Sequence, residues 1–118
     1  MVDEEKTVGV KGFMPKSVQY AEKIDGDFAH GIAEFYSSVW ADRENGLSKK
    51  NKHFVAFGIA CATLNIDSAV KILSRIKKFG GTRQEINDTM MIAAWVGGIQ
   101  KFTDFSKAVL KEMDRLEL

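Results

Sequence analysis

Proline occurs once in 118 residues, cysteine once, and the longest stretch free of charge, Phe54 to Ile66, has 13 residues. A single cysteine excludes an internal disulfide, and with no leader-like segment in view the expected compartment is the reducing cytoplasm. Thirteen uncharged residues fall short of the roughly 20 an α-helix needs to cross a bilayer, so this stretch reads as a buried helix and no membrane partner is expected. No segment alternates apolar and polar residues, which excludes a sheet. There is no metal-ligand spacing and no phosphate-cradling glycine loop, so neither a metal nor another cofactor is expected. With one proline, Pro15, no repeat and no linker, residues 1–118 read as a single domain, with residues 1–13 an irregular N-terminal segment.

Hydrophobic residues make up 45% of the chain and charged residues 28%. That balance suits a soluble globular protein, and the length allows one modest core. The net charge is +1, unevenly spread: residues 1–46 carry 5 basic and 9 acidic groups, residues 47–83 carry 8 and 1, and residues 84–118 carry 4 and 6. A basic middle third could draw an anionic partner. Its lysines recur at helical spacing without interleaved aromatics, however, so a solvated face or inter-subunit ion-pair surface is expected, not nucleic acid.

The pattern predicts an all-α fold of five to six helices. Pro15 to Ile24 forms a first short helix that Asp25-Gly26-Asp27 breaks. Phe28, Ile32, Phe35 and Val39 recur at three and four along a second, ending at Asn45-Gly46. Ser48 caps a third, apolar on nearly every face from Phe54 to Leu64, which belongs at the centre of a core or in a subunit interface. Asn65 to Asp67 breaks it, with Asp67 the expected cap of a fourth helix whose inner stripe is Ala69, Ile72, Leu73, Ile76 and Phe79, closed by Gly80-Gly81. Thr82 and Glu85 have the spacing of a capping box and open a fifth helix running to Gly97-Gly98. Phe102, Phe105, Val109, Met113 and Leu116 define the last.

From Leu47 to about Phe105, the order of these pieces resembles the carboxymuconolactone decarboxylase and alkylhydroperoxidase D family. Leu47-Ser48-Lys49-Lys50 opens an apolar helix, Phe79-Gly80-Gly81-Thr82-Arg83-Gln84-Glu85-Ile86 joins the next two, and Val96-Gly97-Gly98 ends one. The resemblance implies a helical homo-oligomer, a hexamer built as a trimer of dimers, with peroxidase or decarboxylase activity. In alkylhydroperoxidase D-like members, a glutamate supports a Cys-x-x-Cys pair and a following histidine. Laid on this chain without gaps, the glutamate position holds His53, the two cysteine positions Asn65 and Ser68, and the histidine position Ile72. The reading that follows is a divergent member without dithiol peroxidase or decarboxylase activity, acting as a small-ligand-binding or scaffolding oligomer.

The competing reading is an enzyme with a site rebuilt from His53, Cys61 and Asp67. Histidine moves protons near neutral pH, an aspartate can orient it, and a thiolate is a nucleophile. Against this, His53 follows three lysines in a first helical turn, where exposure is common, and Cys61 sits mid-helix among apolar residues, the usual setting of an inert thiol. His30 has no partner at ligand spacing and is read as a surface or subunit contact. Asn65, Ser68, Ile72, Met91 and Trp95 are the candidate lining of a ligand pocket, although Met90, Met91 and Trp95 equally fit a plain core stripe.

Overall fold

The computed structural model describes residues 15–118; the expected irregular segment 1–13 lies outside them. The described residues form six α-helices and no strand. None of these helices is long and apolar enough to cross a membrane. The chain divides at Gly46 into two compact units.

In the first unit, α1 (Lys16–Glu22) packs against α2 (Gly26–Trp40). Pro15 is the N-cap of α1, not its first residue, and the helix stops at Glu22, two residues before the expected end. Asp25 caps α2, its carboxylate accepting the Phe28 amide at 2.8 Å. Ser17 and Tyr36 join the two helices through their hydroxyls at 2.9 Å. The expected end of α2 at Asn45-Gly46 is five residues too late: Ala41 is already extended. The Arg43 guanidinium folds back onto the Ser38 carbonyl at 2.7 Å, satisfying an acceptor that a longer helix would have used.

The second unit holds α3 (Lys49–Ala62), α4 (Ile66–Lys78), α5 (Arg83–Gly97) and α6 (Ile99–Arg115). Ser48 caps α3, its hydroxyl taking the Asn51 amide at 3.1 Å. The capping box of α5 is complete in both directions: Glu85 N–H donates to Thr82 Oγ1 at 3.1 Å, and Thr82 N–H to Glu85 Oε1 at 3.0 Å. α4 departs from expectation. Its N-cap is Asn65, and Asp67 stands in the first turn, where its charge complements the positive helix end without capping it.

Three helices of this unit end in the same way. The residue after the C-cap takes a left-handed conformation, and it and its successor return amides to the last turn, as Leu64 and Asn65 do to the Cys61 and Ala60 carbonyls. Gly80 suits that conformation at the end of α4, whereas Leu64 and Glu117 adopt it with side chains. α3 touches α4, α5 and α6 and is the centre of the unit. The core gathers Phe57, Ile72, Leu73, Ile76, Ile86 and Phe105 among others.

Candidate functional site

The cap at Ser48 sets the phase of α3, and the inward stripe that follows is His53, Phe57, Ala60 and Cys61. His53 is therefore fully buried, where exposure had been expected from the lysines before it. The His53 ring stacks on Phe79 at the end of α4, with centroids 5.1 Å apart and planes at 26°. Its Nδ1 lies 2.6 Å from the Lys49 carbonyl oxygen. A carbonyl only accepts, so this bond assigns the proton to Nδ1 and leaves the lone pair on Nε2. Burial pulls the pKa of His53 below its ordinary 6.5 and the charges of Arg75 and Lys49 push the same way, while the bond to the Lys49 carbonyl opposes them. His53 is a neutral imidazole, fixed at one nitrogen and shut off from solvent.

Cys61 is also fully buried, and burial pushes its thiol up to about 12. At neutral pH it is a thiol, not the thiolate that attacks peroxides or disulfides. Asp67 is exposed on the first turn of α4.

These three residues do not meet. His53 contacts Phe79, at the C-terminal end of α4, whereas Asp67 lies 12 residues earlier in the same helix, about 18 Å along its axis. Cys61 lies 8 residues beyond His53, about 12 Å along α3. One is pressed beneath an aromatic ring, one is in the core and one is on the surface.

The proposed pocket residues divide as well. Asn65, Ser68 and Ile72 share a face of α4 by helical spacing, but Asn65 is exposed, Ser68 half-buried and Ile72 part of the core. Met91 and Trp95 are on α5, 57% and 87% exposed, which overturns the plain-core alternative for them; Met90, one residue earlier, is the buried methionine. With Ala94, Ile99 and Phe102 they line an open cleft of about 330 Å³. His30 is at the surface, its Nε2 3.0 Å from Glu34 one turn along.

A larger groove was missing from the sequence reading. It runs between α3 and α5, holds about 370 Å³, and is lined by Phe54, Val55, Gly58, Ile59, Ala62, Thr89, Ile92, Ala93 and Val96. Small residues make it possible: a Cβ on Gly58 would lie 3.3 Å from the Thr89 methyl, and one on Gly97 would lie 3.1 Å from the Ala62 carbonyl. The available signal was the spacing by four of Gly58 and Ala62 on one helix and of Ala93 and Gly97 on the other. Thr89 is the sole polar side chain in the lining, and its hydroxyl donates internally to the Glu85 carbonyl at 2.8 Å. Such a surface can bind apolar groups. It offers no acid, base or nucleophile.

The model of the carboxymuconolactone decarboxylase family matches residues 26–112, from the start of α2 to near the end of α6. No curated protein and no solved structure matches the chain.

Proposed function

Because the chain belongs to the carboxymuconolactone decarboxylase family, we propose that it keeps the helical frame as a self-assembling scaffold and lacks both dithiol peroxidase and decarboxylase chemistry. The observation that carries this reading is the state of Cys61, the one cysteine of the chain: fully buried, with its thiol pushed up to about 12. A dithiol peroxidase needs one thiolate to attack the peroxide and a second thiol to resolve the sulfenic acid as a disulfide. Asn65 and Ser68 bring no sulfur to the two positions where the family resemblance places it. Ile72, at the histidine position, has no proton to move. A site rebuilt from His53, Cys61 and Asp67 would need all three within reach of one substrate, and their separation along α3 and α4 counts against it.

What remains for function is surface, and the surface of the second unit is apolar where α3 and α5 meet. A trimer of dimers is the assembly this reading expects, with an apolar small molecule the ligand class that such a surface suits. The enzymatic half is tested by hydroperoxide consumption under excess dithiol, comparing wild type, Cys61→Ser and a blank without protein. All three should coincide. Many turnovers by wild type, abolished in Cys61→Ser, would make Cys61 catalytic and the reading wrong.

A further inference from the structure

The turn between α4 and α5 closes over the start of α3. Phe79 lays its ring on His53, and Gly81 sits so close that a Cβ there would strike the Ile76 methyl and lie 3.1 Å from the Phe54 ring. His53 and Phe54 are neighbours in sequence, so one short turn covers both. Its shape needs glycine: Gly80 is left-handed, with φ at 81°. The amides of Gly80 and Gly81 return to the Lys77 and Ile76 carbonyls at 3.0 and 2.8 Å. The main-chain bonds of the turn thus run back to α4, while ring stacking and close packing bring it onto α3.

Both stems of the turn are held by the segment that ends α6. Lys77, in the last turn of α4, donates to the Leu116 carbonyl. Arg83, the first residue of α5, donates to the Leu118 carbonyl and to Asp114 Oδ1, the latter at 3.1 Å. The segment is itself folded down: Leu118 N–H returns to the Met113 carbonyl at 2.9 Å, and Leu116 and Leu118 pack against the core. We propose that residues 114–118 form a strap that locks the Phe79–Gly81 turn as a lid over His53, so that releasing the strap uncovers the imidazole while the core stays closed. Packing contacts weaken steeply with a small displacement, so the position of the two stems decides whether Phe79 stays on the ring. Lys77 and Arg83 are both exposed, and water competes for their acceptors, which makes the strap the part of this unit that opens first. Opening turns a sealed neutral imidazole into one that small solutes reach. This device goes beyond the scaffold reading and does not depend on assembly.

The chain carries its own reporters: His53 beneath the lid, His30 on the surface with its side chain 73% exposed, and Cys61 in the core. The test is carbethoxylation of the full chain by diethyl pyrocarbonate at neutral pH, each histidine followed by peptide mass spectrometry, with thiol labelling of Cys61 in parallel. It compares wild type with Arg83→Gln at a stem and Leu118→Asn on the strap. In wild type His30 should react far faster than His53. Each variant should speed His53 on the order of tenfold, as the loss of one charged hydrogen bond or of part of a leucine's burial implies, and leave His30 and Cys61 unchanged. An unaltered His53 rate in either variant would show that the strap does not lock the turn. A rise at His53 matched by a rise at Cys61 would mean loosening of the whole unit and would overturn the lid, as would a wild-type His53 that reacts as fast as His30.

Discussion

At the scale of single residues, His53 ties stability to pH. Unfolded, it titrates near 6.5; folded, its pKa is lower because burial, Arg75 and Lys49 all disfavour the imidazolium. The unfolded chain therefore binds the proton more readily. The contribution of neutral His53 is complete above about pH 6.5 and is lost as pH falls through the lower folded value. Glu85 and Glu112, whose carboxyls are held below their usual range by Lys50 and Arg115, lose their contributions only at lower pH. Urea unfolding should thus show a falling midpoint between about pH 7.5 and about pH 5.5. In His53→Leu that slope should flatten, whatever the absolute stability of the variant. An unchanged slope would mean that His53 is not the group responsible. Cys61 has no such role: an apolar setting makes it a small core side chain.

At the scale of elements, helix ends were the most readable features, because a cap is a bond between neighbours in sequence. The α5 capping box has a further part that lies far away in the chain: Lys50 Nζ on α3 reaches Glu85 Oε2 at 2.9 Å. The same carboxylate closes the cap and joins two helices. Both groups are substantially exposed, so the ion pair itself adds little. Thr82→Ala should cost about 1 kcal/mol, the ordinary value of an N-cap hydroxyl, as read from chemical unfolding with the slope unchanged. A loss near zero would show that Glu85 alone holds the helix start. The expected cap at Asp67 failed because Asn65, two residues earlier, already occupies the N-cap position through the turn that closes α3.

At the scale of the whole molecule, the basic middle third is partly neutralised within its own chain. Lys50 meets Glu85, and Arg83 meets Asp114 at 3.1 Å and the Leu118 carbonyl oxygen, so carboxylates of the last third answer cations of the middle one. The unanswered feature is apolar. If copies of the chain assemble, as the scaffold reading expects, folding and association are linked, and thermal stability depends on concentration. The unfolding midpoint should rise by about 3 °C or more per tenfold increase in protein. A wild type insensitive to concentration would speak against a stable assembly.

Sequence alone determined what short-range chemistry decides. It determined the helical class, the starts of α3 and α5 at Ser48 and Thr82, the inner stripe of α4, and the family resemblance that the match over residues 26–112 bears out. Each depends on groups a few residues apart, whose bonds and spacing are written locally. Tertiary structure decided which apolar faces are covered. Met90 and Met91 are chemically identical neighbours, yet a 100° step around the helix buries one and exposes the other. His53 is covered by Phe79, 26 residues away, and lies near the far end of the α3–α4 hairpin from Cys61 and Asp67. Periodicity shows that a side chain is on an apolar stripe. Whether a distant segment of chain lies over that stripe depends on how the helices pack, and that packing makes His53 a buried neutral group and leaves Trp95 in the open.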